Sequence, residues 1–357
     1  MKISKIYANN DNFKTIEFDK GINFILSDSN GVGKTSLFKL IDFCLLGDKH
    51  FLGNEHFKDY IFYIELQIAS NRYMTIKRPI KSGKNIELKI TKQKSILLDE
   101  KSFNKKGSLG IAKSFFENKV NYSINKFRTY ITYFLRDEAN QNNAFILNKH
   151  TSLNEIEYKT IVSSLLGIDG RKIRKKYELD ELIKKEDTEV IALENAKNNL
   201  EKVIEENKTL INSYFIDRFK HIISKYGNIV LGKETTFSID FNTSNDIEVK
   251  LNVENDEEIN EVIKNKLLCF IFACALAEVY GQKKLIKFVA FDGPFDGENN
   301  TYEKGIYSAI HLLNKIGIQT IITSNEDDIK SDEMLREIND EYLTDYFSDG
   351  DKLIGDF

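Results

Sequence analysis

Apolar and polar positions change period twice along this chain. Over residues 1–91 short runs rich in β-branched and aromatic residues are separated by turn signals, the pattern of strands. "KISKIYA", "FKTIEF", "GINFILS", "YIFYIELQIA", "RYMTIKRPI" and "NIELKIT" are the runs, with "SNR" and "KSGKN" as turns. Between the third and fourth, a helix is expected from Thr35 to about Leu46. Strands that meander after such a helix predict an antiparallel sheet flanking a central parallel one.

Residues 153–167 and 171–226 read as helix and contain no proline. Leu193, Ala196, Leu200, Val203, Asn207, Leu210 and Tyr214 recur at steps of three and four, a heptad seam with one polar position, Asn207. The stretch "KKEDTE" at 184–189 interrupts the apolar spacing and suits a hairpin tip. A helix over 190–226 would be roughly 55 Å long at ~1.5 Å per residue. The expectation is a short antiparallel arm; an ordinary amphipathic pair packed on the body is the competing reading. After Gly227 strands return in "TFSIDF" and "DIEVKLNV". A buried helix at about 259–280, the strand "LIKFVAF", a helix near 303–316 and the strand "IQTIITS" follow. The division predicted is 1–152 and 229–357 as two halves of one α/β body, with 153–228 as the inserted arm.

Charge sharpens that division. The net charge of −4 conceals 25 Lys+Arg against 15 Asp+Glu in residues 1–150, a balance in 151–228, and 12 against 26 in 229–357. Either the two halves attract each other within one fold, or a basic face is open to nucleic acid. No apolar run reaches the ~20 residues of a membrane span, and no signal-peptide core opens the chain. Cys44, Cys269 and Cys274 have no paired or metal-type spacing, which suits core thiols in a reducing cytoplasm.

The chemistry is concentrated in "SDSNGVGKTSL", residues 27–37, directly after an apolar strand. A strand that leads through a glycine loop into a helix aims backbone N–H groups and the positive dipole end at an anion. Asn30, Gly31, Val32, Gly33, Lys34, Thr35 and Ser36 make up the expected phosphate cradle. Gly31 and Gly33 allow close approach, Lys34 supplies a cation for the β/γ-phosphates of a nucleoside triphosphate, and the Thr35 hydroxyl can ligate Mg2+. The usual pattern has its first glycine where this chain has Asp28. A second Mg2+ carboxylate belongs at the end of a buried strand, and "LIKFVAFDGPFDG" offers Asp292.

The order of P-loop, β-rich insertion, helical arm, buried helix, Asp-ended strand and "TSN" resembles the heads of SMC and double-strand-break-repair ATPases, a branch of the ABC ATPases. "NGVGKTSLFKLIDFCLLG", "KFRTYITYFLRDEANQ", "FVAFDGPFDG" and "QTIITSNEDD" carry the resemblance, which spans most of the chain. They look closest to an uncharacterised bacterial SMC-like branch found in phage- and plasmid-defence operons. The fold implied is an α/β, P-loop ABC-type ATPase head with a β-rich lobe and a short antiparallel coiled-coil insertion.

The resemblance also implies roles. Asn30 matches the Asn of the "NGxGK" loop, Lys34 and Thr35 the phosphate and Mg2+ positions, and Asp292 the second carboxylate. Gln141 or Glu138 would sense Mg2+ and the attacking water. Ser324 or Asn325 would contact the γ-phosphate where many heads place a histidine. Gly293 stands where such heads carry the water-orienting Glu; Asp296 is the nearest replacement, or it belongs to a loop crossing to a partner subunit. A Ser-Gly-Gly signature is expected before the helix at 259–280, and the chain has "NDEEINEV" there. The arm is too short for a hinge domain or zinc hook.

The function implied is an ATP-hydrolysing head that forms a homodimer on nucleotide, engages DNA and controls an effector such as a nuclease. A nucleotide-binding scaffold with negligible hydrolysis is the alternative. A small-molecule kinase or GTPase is disfavoured, because no "NKxD" segment appears and the helical split is unexplained by it. The DNA surface expected is basic and blind to sequence: "RYMTIKRPIKSGKN", "KSFNKKGSLGIAKS", and Arg171, Lys172, Arg174, Lys175 and Lys176.

Overall fold

The computed structural model describes residues 1–47, 57–81, 85–92, 94, 103, 105–107, 112, 114, 127–145, 155–168, 170–185, 194–202, 213–241, 247–254, 259–282, 286–296 and 301–353. The chain divides into two compact units, one formed by Met1–Gln141 with Leu276–Phe357 and the other by Asn142–Ala275.

The first unit contains both main sheets. Strands β1 (Lys2–Ala8), β2 (Ile16–Glu17), β4 (Ile61–Ala69), β5 (Arg72–Pro79), β6 (Ile86–Thr91) and β7 (Lys105–Gly107) form an antiparallel sheet in the order β2-β1-β4-β5-β6-β7. The parallel sheet has the order β13-β3-β12-β11-β8, from β3 (Ile22–Ser27), β8 (Leu135–Arg136), β11 (Phe288–Asp292), β12 (Gln319–Asn325) and β13 (Leu343–Phe347). This is the expected α/β class, with an antiparallel sheet beside a parallel one. The edge strands β8 and β13 were not legible as strands. One is two residues long, and "LTDYF" has no apolar run.

Alternation explains the antiparallel sheet. Ile6, Ile64, Ile76 and Leu88 pair in register and are buried on one face. The opposite face is interior as well: Lys5, Glu65 and Thr75 are buried there, and Tyr7 stacks on Tyr63 with centroids 4.8 Å apart. At the bulge between Ile3 and Lys5 the buried Gln319 side chain substitutes for a ladder partner. It donates to the Ile3 carbonyl and accepts from the Ile3 amide, both at 2.8 Å, joining the start of β12 to β1.

Helix α1 (Lys34–Cys44) follows β3 and buries Leu37, Phe38, Leu40, Ile41 and Phe43. Two arginines hold its C-terminal end. Arg78 donates to the Phe43 and Gly47 carbonyls with its guanidinium 3.9 Å over the Phe43 ring, and Arg128 of α2 (Phe127–Ile131) pairs with Asp42 at 2.6 Å. Positive charge beside the last carbonyls complements the helix dipole. Helices α7 (Glu303–Lys315) and α8 (Asp332–Glu337) complete the unit, with a π-helical turn at Ile338–Tyr342 before β13.

The second unit holds α3 (Glu155–Leu165), α4 (Gly170–Lys185), a helical stretch at 194–202, α5 (Ser213–Leu231) and the hairpin β9 (Thr235–Phe241) with β10 (Ile247–Val253). Helix α6 (Glu261–Gln282) begins here, and its residues from Leu276 count with the first unit. Phe145, Phe219, Phe237 and Phe272 meet edge-on or tilted at centroid distances of 5.1–6.5 Å. Leu200, a seam position, packs with Ile239 and Val249 against Ile168 and Ile173. Seam positions Leu193, Val203, Asn207 and Leu210, and residues 186–189 of the expected tip, lie outside the described residues.

Gly227 does not end the helix, as the strand reading after it supposed. Helix α5 continues to Leu231, and Gly232 at φ 65° closes it. A Cβ on Gly227 would collide with the Thr235 side chain. This glycine serves close packing of β9 on α5 rather than helix termination.

Candidate nucleotide site

The P-loop lies at the C-terminal end of the parallel sheet. Gly31 at φ 85° and Gly33 at φ 115° occupy left-handed backbone that disfavours any Cβ. A Cβ on Gly33 would also stand 2.7 Å from the Leu353 side chain. The Leu353 amide donates to the Val32 carbonyl at 3.1 Å, so the C-terminal segment supports the loop from behind. Val32 is buried and does not line the cleft. Helix α1 starts at Lys34 with Gly33 as its N-cap, no side-chain cap and no acid in its first turn. Most helices satisfy their first N–H groups with a Ser, Thr, Asp or Asn cap. Here α1 has no such cap and its first residues, Lys34 and Thr35, line a cleft, the arrangement of an anion site.

Strand β12 lies between the P-loop strand and the Asp292 strand. Its register opposite both, Asn325 to Ser27 and Thr323 to Asp292, brings the site together. Thr323 Oγ1 donates to Asp292 Oδ1 at 2.6 Å. Asn325 Oδ1 accepts from Lys34 Nζ at 2.6 Å and from Ser27 Oγ at 3.1 Å. Lys34 also donates to Ser27 Oγ and, at 3.1 Å, to the Ser29 carbonyl. Of the pair at this position Asn325 faces Lys34, whereas Ser324 is buried with its hydroxyl on the Asn325 carbonyl.

An open cleft of ≈ 340 Å³ is lined by Asn30, Lys34, Thr35, Glu138, Asp292, Gly293, Asp296, Asn325 and Asp328. Glu138 is thus on the cleft wall. Gln141 is buried, and its Nε2 donates at 2.6 Å to the Asp292 carbonyl. Ser36 is half-buried in the first turn of α1. Gly293 has φ 61°, and a Cβ there would collide with the Asp296 carboxylate. The "GPFD" turn folds Asp296 back over the bare Cα of Gly293, its amide donating to the Gly293 carbonyl at 3.2 Å.

Burial dominates the ionisation of both charged groups here. It pulls the Lys34 ammonium below its usual range, opposed by Asp296, Asp292, Asp328 and Asp28. It pushes the Asp292 carboxyl up, opposed by the Thr323 and Thr35 hydroxyls and assisted by Asp137 and Glu138. Asp292 Oδ2 is buried and has no hydrogen-bond partner among the described residues. A carboxylate oxygen in that condition, with the Thr35 hydroxyl beside it, fits a hard divalent cation such as Mg2+. No group of three His, Cys, Asp or Glu among the described residues forms a metal cage. That is compatible with Mg2+, which is commonly held by one or two protein ligands together with phosphates.

The basic segments are more mixed than the charge count implies. Lys77 lies 3.4 Å from Glu87 with little exposure, and Arg78 is buried against α1. Lys176 is 2% exposed with its ammonium 4.9 Å over the Tyr177 ring. Arg171, Arg174 and Lys175 are exposed on α4, with Arg174 paired to Glu178 at 2.9 Å. "KSFNKKGSLGIAKS" lies mostly outside the described residues.

A P-loop facing a buried strand-end Asp, within one unit bearing both a parallel and an antiparallel sheet, is the architecture of an SMC-type head. Solved structures bear this out as fold. The chain is similar to an Smc head domain with a coiled coil and joint from Pyrococcus yayanosii, with TM-score 0.55, 11% identity, and 92% of this chain and 94% of that one covered. An Smc head bound to the C-winged helix domain of ScpA gives TM-score 0.53, 12% identity, and coverage of 94% and 92%. A Pyrococcus furiosus Smc head domain with an extended coiled coil, bound to the C-terminal domain of ScpA, gives 0.50, 15%, and coverage of 92% and 90%. No protein-family model matches the chain, and no curated protein matches it. The chain therefore has the fold of an SMC head. Among the described residues no helix is long and apolar enough to cross a membrane.

Proposed function

We propose that this chain is an ATP-binding, Mg2+-dependent SMC-like ATPase head that hydrolyses ATP slowly. The observation that carries this is the convergence of Lys34, Thr35, Asp292 and Asn325 on one cleft in front of an uncapped helix N-terminus. Lys34 and the α1 N–H groups bind the β- and γ-phosphates, and Asn325 reads the γ-phosphate. Thr35 and Asp292 would hold Mg2+, which would neutralise charge on the β- and γ-phosphates. Asp296 orients the attacking water in place of a side chain at 293. Turnover of ATP by the purified chain, with and without Mg2+, tests the reading.

Asp296 is the weakest catalytic part, and its turn favours one alternative. Gly293 contributes no side chain, so a scaffold that binds ATP without hydrolysing it remains the second reading. Asp296→Asn separates the two. Loss of a group that handles the proton of water lowers turnover by on the order of 10²-fold or more, with ATP affinity changed less than turnover. Equal kinetics for the wild type and the variant would favour the scaffold.

The wider role proposed is nucleotide-driven homodimerisation of heads, sequence-independent DNA engagement and control of an effector such as a nuclease in bacterial defence. The basic, exposed start of α4 supports the DNA part, with Lys176 excluded because it is buried. Arg171→Glu, Lys172→Glu and Lys175→Glu together are expected to weaken duplex DNA binding. They should also flatten its salt dependence by about 0.9 in log–log slope for each phosphate that is no longer neutralised. Unchanged affinity at low salt would show that the charges serve another purpose. Light scattering with and without ATP tests dimerisation.

A further inference from the structure

The Lys34 ammonium has three N–H groups, and in this structure three acceptors surround it: Ser27 Oγ, the Ser29 carbonyl and Asn325 Oδ1. Asn325 is engaged at both atoms of its amide. Its Oδ1 accepts from Lys34 and Ser27, while its Nδ2 donates to Asp328 Oδ2 at 2.8 Å and to Asn30 Oδ1 at 3.3 Å. The Ser27 hydroxyl has one proton and also lies 2.9 Å from the Ser29 carbonyl, so Lys34 and Asp328 are the two charged partners that fix this amide.

Lys34 and Asp328 together decide which way this amide points, and once Lys34 turns to phosphate Asp328 alone holds it. Turned over, Asn325 would set Nδ2 against the Lys34 ammonium, donor against donor. Its oxygen would meet the Asp328 carboxylate, acceptor against acceptor. Asn30 is itself an amide and could turn to suit either orientation; an ionised carboxylate cannot. The short helical turn Glu326–Asp328 that follows β12 delivers this carboxylate to the cleft three residues after Asn325.

A γ-phosphate offers only acceptor oxygens. To contact it, Asn325 must present Nδ2, the atom that Asp328 holds. Lys34 must at the same time exchange Asn325 Oδ1 for phosphate oxygen. We propose that Asp328 is a positioning residue that holds Asn325 in a resting orientation against γ-phosphate. It thereby sets the preference of the site between nucleoside tri- and diphosphates. The inference rests on the nucleotide-binding reading above and assigns Asp328 a role within it.

Calorimetric titration with Mg2+ and either a non-hydrolysable ATP analogue or ADP tests this. Asp328→Ala is expected to raise the triphosphate-to-diphosphate affinity ratio about tenfold, the scale of one charge-assisted hydrogen bond. Asp328→Asn puts an amide there that, like Asn30, can turn to suit either orientation of Asn325, so it too should raise the ratio. In an Asn325→Ala background, Asp328→Ala should have almost no further effect on the ratio. An unchanged ratio in Asp328→Ala would overturn the proposal. So would persistence of the rise in the Asn325→Ala background, since that would mean simple charge repulsion. If the wild type binds neither nucleotide, the nucleotide-site reading itself fails.

Discussion

Lys34→Ala is expected to abolish ATP binding at practical nucleotide concentrations. The ammonium sits at the head of the cleft with its donors directed to Ser27, Ser29 and Asn325, the groups that phosphate oxygens would replace. Each charge-assisted hydrogen bond is worth about 1.5–3 kcal/mol. Two such bonds account for roughly 10²- to 10⁴-fold in affinity. What remains in the variant is the glycine cradle and the α1 terminus, and a helix dipole alone contributes only about 0.3–1 kcal/mol near the surface. Lys34→Arg is not expected to rescue binding. The present pocket closes three acceptors around a compact ammonium, and a planar guanidinium has a different shape and donor geometry. The variants should still fold, because α1 is anchored at its far end by Arg78 and Arg128. Calorimetry with ATP, alongside an unfolding curve, checks both statements. Unchanged affinity in folded Lys34→Ala would refute the P-loop assignment.

The residues legible in the sequence share one property: local chain geometry forces their chemistry. A glycine loop between a buried strand and a helix has few other uses, so Gly31, Gly33, Lys34 and Thr35 were readable in place. Asp292 was readable because it ends an apolar strand. Asp328 and Thr323 were not. Thr323 acts on Asp292, which only the adjacency of β12 and β11 brings to it, and Asp328 acts through Asn325, which meets Lys34 only because β12 lies beside β3. The spacing of Asp328 three residues beyond Asn325 was the one available signal.

Charge was less legible for a different reason. A count of Lys and Arg cannot distinguish solvent from interior. Lys77 and Arg78 are consecutive strand residues, so they point to opposite faces, and both faces of that sheet are interior. Arg78 meets helix carbonyls and Lys77 meets Glu87. Gly227 illustrates the converse: a residue type that often ends a helix is used here for close packing.

Asp292→Asn is expected to remove Mg2+-dependent turnover while leaving the nucleotide-free protein at least as stable as the wild type. The first part follows from the ligand set: Thr35 alone cannot replace the carboxylate. Loss of even an outer-shell partner of a metal site commonly lowers metal affinity or activity by about 10–100-fold, so loss of a direct ligand should exceed that. The second part follows from burial. Asp292 is 6% exposed, its carboxyl is pushed above the ordinary range by burial, and its Oδ2 has no partner among the described residues. A carboxylic acid whose folded-state pKa is raised favours the fold when protonated and opposes it when ionised. Its unfavourable contribution therefore appears as pH rises through the raised value and is absent below the unfolded-state value. Asn has nearly the same shape, carries no charge and can still accept from Thr323 Oγ1. Its amide N–H groups enter a cleft lined by Glu138 and Asp296. Denaturant unfolding should accordingly show Asp292→Asn equal to or above the wild type at neutral pH. Any gain should shrink as pH falls through the carboxylate range. A variant clearly less stable at neutral pH would make Asp292 a structural residue. Turnover within twofold of the wild type would mean that another group holds the metal.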